Sequence, residues 1–170
     1  FYKLSLNKGK DVISIEDEVN HVSLYTEIQN MRYSNRISLE IDINDFIRNC
    51  KIPKITLQPI VENARTHAIF AKGDVEGKRL ITGTIDENAI YLKVSDDGIG
   101  IKESELPFIL STKRVKSNST SSKGSGYGIR NINERIKLCY GDNFGLSFTS
   151  IYEKGTTVTI KIPIIEDELS

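Results

Sequence analysis

Two glycine-bearing loops and one asparagine hold the residues of this sequence best suited to chemistry. Ile90, Leu92 and Val94 share one face of a strand pattern, and Asp96 continues their parity, so its carboxylate should emerge at the rim of the buried face. Gly98 and Gly100 follow at once, letting the backbone turn sharply and a flat ligand come close. An adenine amino group could donate to Asp96, although an Asp-Gly pair by itself more often only ends a strand in an Asx turn. Gly124-Ser125-Gly126-Tyr127-Gly128 runs straight into a helical pattern. Free backbone N–H groups at a helix start cradle anions, and phosphate is the natural guest. No Lys-Ser/Thr follows, as a Walker loop requires, and the spacing without a preceding strand is wrong for a dinucleotide fingerprint. Alone, such a run is more often a flexible linker.

Asn63 is a neutral oxygen donor on a helical segment, suited to Mg²⁺, which takes few protein ligands and keeps waters and phosphate oxygens. Alone, it is more often a helix-surface residue. His67, one turn on, shares its face and could reach a phosphate, though a lone histidine is commonly a bystander. Thr156 shares parity with Val158, Ile160 and Ile162, which turns its hydroxyl toward the same inner layer as Asp96, where it could support the carboxylate. Together these residues describe a pocket for a Mg-nucleotide, ATP above all.

The elements that must position them follow from periodicity. Ser14 and Asp17 open a helix as a weak capping box, with Ile15, Val19, Val22, Tyr25 and Ile28 at helical spacing to about Tyr33. Leu39, Ile41 and Ile43 alternate as a half-buried strand. From about Ile55 to Ile69, Leu57, Ile60, Val61, Ala64 and Ala68 fall on one helical face, with Pro59, Asn63, Thr66 and His67 beside it. Strands are expected over 79–86 and 89–95 around an Asp-Glu-Asn turn, and again over 144–152 and 156–163. A helix over 127–140 ends at Gly141, and the Ser/Thr/Lys-rich stretch 111–123 reads as a mobile loop. The result is a two-layer α/β sandwich, a mixed and mostly antiparallel sheet of about five strands on about three helices, with an N-terminal helical arm.

With 170 residues the chain suits one domain plus a short arm. Its 23 basic and 23 acidic residues cancel without long blocks, which gives no argument for nucleic acid. Cys50 and Cys139 lack disulfide or zinc spacing and read as reduced thiols. No run approaches the roughly 20 apolar residues of a membrane span, and no signal peptide is evident. The start at Phe1 suggests a piece of a longer protein, with any membrane part outside it.

In this order the elements resemble the Bergerat nucleotide fold of sensor histidine kinases, DNA gyrase B subunits, mismatch-repair ATPases and the ninety-kilodalton heat-shock chaperones. Leu57-Gln58-Pro59-Ile60-Val61-Glu62-Asn63-Ala64 resembles the N box, Asp96 to Ile101 the first glycine box, Gly124 to Gly128 the second and Gly155-Thr156-Thr157 the last. Pro107-Phe108 sits where kinases place a short F box. The match is nearest to the histidine kinases of the LytS and YesM type, with Gly126, Gly128, Asn131 and Arg135 in their final motif. Glu16, Glu18, Tyr25, Gln29 and Arg32 resemble their connecting helix, and the Leu4 to Lys10 opening looks like the YesM branch.

That resemblance implies residues 1–35 as a connecting arm at the end of a dimerisation region, 36–165 as the ATP-binding domain and 166–170 as a tail. It implies ATP and Mg²⁺ as ligands, with Glu62 and Asn63 catalytic, Asn63 on the metal, and Asn63, His67, Asp96, Gly98, Gly100, Gly124, Gly126, Tyr127, Gly128 and Thr156 around the nucleotide. It further implies an upstream phosphoacceptor domain, a response regulator, a homodimeric full-length protein and a cytoplasmic place beside a bacterial membrane. Two departures stand out. Arg65-Thr66-His67-Ala68 replaces the family's Ile-Lys-His-Gly, so Thr66 stands where a lysine near the phosphates is usual. No segment like the phosphoacceptor helix is present, and neither His21 nor His67 has such a context. Pro59 occupies the place of the gyrase-like general base, four residues before Asn63, which disfavours hydrolysis and leaves transfer to a supplied histidine, with residues 103–123 as a lid. The alternatives are a catalytically weak nucleotide sensor and a gyrase- or chaperone-type ATPase.

Overall fold

Alternating apolar and polar residues build the sheet seen in a computed structural model of the protein, which describes residues 11–33, 37–63, 77–111 and 125–166. In chain order the elements are β1 (Val12–Ser14), α1 (Ile15–Tyr33), β2 (Ile37–Asp42), α2 (Asp45–Asn49) and β3 (Lys51–Pro53). Then come α3 (described over residues 57–63), β4 (Gly77–Ile85), β5 (Ala89–Asp96) and a 3-10 turn (Leu106–Phe108). α4 (Ser125–Tyr140), β6 (Gly145–Ile151) and β7 (Gly155–Pro163) close the chain. Five strands form one sheet in the order β2-β4-β5-β7-β6, parallel only between β2 and β4, while β1 and β3 form a separate antiparallel pair.

The helices cover one face of that sheet. Ile81, Ile90, Leu92, Val94, Val158, Ile160 and Ile162 point inward, and Leu57, Ile60 and Val61 of α3 meet Ile129, Ile132 and Ile136 of α4 in the same buried cluster. The opposite face keeps polar cross-strand pairs such as Ser95 and Thr157, whose hydroxyls lie 2.8 Å apart. One dry face and one wetted face is the usual pattern of an antiparallel sheet. The expected two-layer fold with its helical arm is therefore present.

The arm is seated by more than apolar contact. Ser14 Oγ accepts the Asp17 N–H at 3.0 Å, as the capping residues suggested. Ile15, Val19 and Val22 join the core, but the buried stripe then passes through Glu18 and Thr26, whereas Ile28 is 56% exposed. Thr26 can turn inward because its hydroxyl bonds the Val22 carbonyl at 2.9 Å. Asn30 fixes the start of β2 by bonding both the carbonyl and the N–H of Ile37, at 2.7 and 3.1 Å.

The turn chemistry also holds. Asp86 Oδ1 accepts the N–H groups of Asn88 and Ala89 at 3.1 and 3.0 Å, closing the β4–β5 hairpin. Gly141, at φ +102, ends α4 by donating to the Lys137 carbonyl. The short elements β1, α2 and β3 carry too few residues for a periodic signal and are additions to the expected order. α4 starts at Ser125, two residues before the expected Tyr127, within the ordinary uncertainty of a helix end. The expected loop over 111–123 lies, apart from Ser111, outside the described residues.

Candidate functional site

Three elements bring the sequence-picked residues to one small cavity. α3 supplies Ile60 and Asn63, β5 and the loop after it supply Val94, Asp96, Gly100 and Ile101, and the last hairpin supplies Phe148, Thr156 and Val158. The enclosed space, about 20 Å³, is enough for a water molecule. Its lining is an apolar slot with three polar groups, Asn63, Asp96 and Thr156, at its edges. Apolar walls with a few polar groups at their edges are the general make-up of a small-molecule site.

Asp96 is the ionisable member. Its Oδ1 accepts the Gly98 N–H at 2.8 Å, the Asx-type geometry that an Asp-Gly sequence favours. Burial is the largest influence on its carboxyl and raises its pKa above the usual carboxylate value; the Gly98 N–H, the charge of Arg79 and the backbone N–H of Thr156 pull the other way, and Asp97 adds to the rise. Neighbouring Asp97 faces elsewhere and accepts the Lys78 N–H at 2.9 Å.

One glycine lines the cavity. Gly100 has φ +69, and a Cβ there would run into the backbone carbonyl of Ile151. Gly128, in α4, differs: a Cβ on it would meet nothing within 4 Å among the described residues. Glycine inside a helix costs about 1 kcal/mol relative to alanine, and packing among the described residues gives no reason for it here. The open space above Gly128 is what a ligand approaching the helix start would use.

Asn63 carries an orphaned polar atom at the cavity. Its Oδ1 is buried and has no hydrogen-bond partner among the described residues. A buried acceptor left so costs roughly 1–3 kcal/mol, and such groups in native proteins usually await a water, ion or ligand. A neutral oxygen in that state fits a Mg²⁺ ligand. Glu62, beside it, accepts from Gln58 Nε2 at 3.2 Å across one helical turn.

Thr156 reaches the cavity by a different bond from the one expected. Its hydroxyl pairs with Ser150 Oγ at 2.9 Å, and it is the Thr156 backbone N–H that supports Asp96. Gly98 is buried in the Asp96 turn, while Gly126 and Tyr127 fall in the first turn of α4. His67, Thr66 and Gly124 lie outside the described residues. Among the described residues no group of three or more His, Cys, Asp and Glu gathers as a metal cluster.

Arg79 is the site residue that motif reading passed over. It is only 4% exposed and pairs with Asp96 in the β4–β5 register. The signal was available, since a hairpin closed by Asp86 and Ala89 sets Arg79 opposite Asp96, with the parity of the core residue Ile81.

The chain is similar to known proteins in both sequence and fold. Residues 53–166 match the family described as histidine kinase-, DNA gyrase B- and HSP90-like ATPase. Sensor histidine kinase YesM of Bacillus subtilis is 33% identical over 164 residues, covering 94% of this chain and 25% of its own length. Sensor protein LytS of Streptococcus agalactiae is 33% identical over 171 residues, covering 99% of this chain and 28% of its own. The chain thus spans about a quarter of the length of these curated relatives. Among solved structures, the catalytic domain of histidine kinase ThkA superposes with a TM-score of 0.64 at 17% identity, covering 92% of this chain and 97% of that one. The mycobacterial sensor histidine kinase MprB gives 0.64 at 16%, covering 92% and 98%. At such identities the structural likeness establishes the fold; the matched family sequence establishes the lineage. The chain belongs to the histidine kinase-, DNA gyrase B- and HSP90-like ATPases, as an ATP-binding domain related to the LytS- and YesM-type sensor kinases.

Proposed function

We propose that this chain is the catalytic domain of a two-component sensor histidine kinase, which binds Mg-ATP and presents the γ-phosphate to a histidine on a separate upstream domain. The observation that carries the reading is that Asn63, whose buried Oδ1 has no partner among the described residues, lines the same cavity as the ionisable Asp96. One end of the slot suits an adenine amino group, and the other suits a cation held between protein and phosphates.

Asp96 accepts from the base, Ile60, Val94 and Val158 enclose the ring, and the first turn of α4 holds phosphate oxygens with Gly126, Tyr127 and Gly128. Asn63 would hold Mg²⁺, which when bound offsets phosphate charge. The incoming imidazole nitrogen forms a bond to the γ-phosphorus as the bond to the bridging oxygen breaks, and ADP leaves with that electron pair. Such transfer demands positioning and charge stabilisation more than a base. In this reading Glu62, about 100° around the helix from Asn63, takes the role of orienting the incoming imidazole. Pro59 has no base with which to activate water, so transfer is favoured over hydrolysis. The roles that the family likeness implies for His67, Gly124 and a lid over residues 103–123 belong to the same reading, and all but 103–111 lie outside the described residues. In the full-length protein the acceptor domain dimerises beside the membrane, and a response regulator receives the phosphate.

Thr66, in place of a lysine, favours a second reading, a nucleotide sensor without transfer. Mixing the chain with the histidine-bearing helical hairpin of its own full-length protein and γ-labelled ATP separates the two. Label on histidine supports the kinase, tight binding without label supports the sensor, and free phosphate without an acceptor indicates an ATPase.

A further inference from the structure

Glu18 and Arg135 line no part of the nucleotide cavity, yet both end on the residues that open α3, the helix carrying Asn63. Glu18, on α1 and only 2% exposed, accepts the backbone N–H groups of Ile55, of Thr56 at 3.1 Å and of Leu57 at 3.0 Å. The first N–H groups of a helix have no intrahelical acceptors, and a carboxylate there also faces the positive end of the helix dipole. A helix ordinarily takes this cap from its own leading residue. Here the Thr56 hydroxyl turns back to the Pro53 carbonyl at 2.6 Å, and the cap is supplied from 37 to 39 residues away.

Arg135 closes the junction from α4. Its Nη2 donates to the Ile55 carbonyl at 2.9 Å and reaches Thr56 Oγ1 at 3.3 Å. Between the two charged groups Ile55 sits at φ +56, a left-handed conformation that a β-branched residue rarely adopts. Such a conformation persists where the surroundings over-determine it, as these bonds do.

We propose that Glu18 and Arg135 are positioning residues that set the height and rotation of α3, so that Asn63 Oδ1 enters the cavity and metal-dependent nucleotide binding follows the seating of α1. The proposal rests on the nucleotide reading above. Leu57, Ile60 and Val61 hold α3 against the core, but apolar contact is non-directional and tolerates sliding and rotation about the axis. Directional bonds occur at the helix start, and Asn63 has none of its own on Oδ1 among the described residues. From residue 57 to 63 the helix advances roughly 9 Å as a rigid rod, carrying a shift at its start to the asparagine. The other end of the linkage is firm, because α1 is locked by Ile15, Val19 and Val22 and by the Glu16–Arg48 ion pair at 2.5 Å.

The test measures adenosine, ATP and Mg-ATP affinities by calorimetry for the wild type, Glu18→Gln and Arg135→Ala, with circular dichroism and melting of each. Adenosine reports the Asp96 end, and the gain from Mg²⁺ reports Asn63. The expected result is a loss of about tenfold in the Mg²⁺-dependent gain in either variant, with adenosine affinity kept, in proteins that remain folded. Equal loss of adenosine and Mg-ATP binding, or no change in either, overturns the positioning role. If Glu18→Gln does not fold, Arg135→Ala, altering a partly exposed side chain, decides alone. A wild type that binds none of the three removes the nucleotide reading itself and this proposal with it.

Discussion

Gly155 presses against Asp96 so closely that a Cβ on the glycine would overlap the Asp96 carbonyl oxygen. The glycine stands at φ +132, where an L side chain is strained, and the next residue, Thr156, is the β7 partner of Asp96. The last glycine motif thus works as a spacer that lets β7 close on the carboxylate-bearing end of β5. Gly155→Ala should destabilise the domain by about 1–3 kcal/mol through backbone strain. Nucleotide affinity should fall further than the melting shift explains, because Asp96 must move. Thermal melting and calorimetry on the same samples check this.

Because burial raises the Asp96 pKa, this residue makes the empty domain less stable as pH increases. The unfolded carboxyl loses its proton near its ordinary value while the folded one keeps it to higher pH. Its stabilising contribution is therefore complete below the unfolded pKa and lost as pH rises through the folded one. Asp96→Asn should flatten that part of the melting profile above pH 3.8 and leave the empty protein as stable as the wild type, or more so, at neutral pH. Adenosine binding should weaken in the same variant. In the wild type it should weaken as acid protonates Asp96. A melting series from pH 3 to 8, with adenosine titrations across it, reads both effects.

Gly128 should show the opposite signs for stability and binding. Among the described residues alanine meets no atom within 4 Å, and it gains up to about 1 kcal/mol of helix propensity. Gly128→Ala should melt a few degrees higher while its added methyl occupies the space of the phosphates, costing ATP at least about tenfold and adenosine little. Lower stability with unchanged ATP affinity would show that the glycine serves the fold instead.

How much of this was legible in the sequence depended on the range of each interaction. Leu57, Ile60 and Val61 announce the buried face of α3 through local spacing, and Asp96 announces the rim through strand parity. Asp86 and Gly141 announce a hairpin and a helix end through turn chemistry. Arg79 required the hairpin register to be carried through to Asp96. Glu18 and Arg135 stand in local motifs, but their partners are beyond any local pattern, lying 37 to 39 and 79 to 80 residues away. Glu18 also breaks the periodic rule itself, being an acid within the buried stripe of α1, which is why Ile28 was assigned to a face it does not share. The Thr156 hydroxyl pairs with Ser150, a partner on the neighbouring strand that the pattern of β7 alone does not show.

Asn63 offers the cleanest separation of fold from function. Its Oδ1 is buried without a partner among the described residues, so Asn63→Ala removes an unsatisfied polar group rather than a bond, and the melting temperature should hold or rise slightly. The Mg²⁺-dependent gain in ATP affinity should vanish, bringing the ratio of affinities with and without metal to about one, while adenosine binding through Asp96 stays. Asn63→Asp should retain a metal response, since it keeps an oxygen donor and adds charge. A large drop in stability for Asn63→Ala would instead mean that this oxygen holds the fold through an interaction other than a ligand, and the metal assignment would pass to the nucleotide alone.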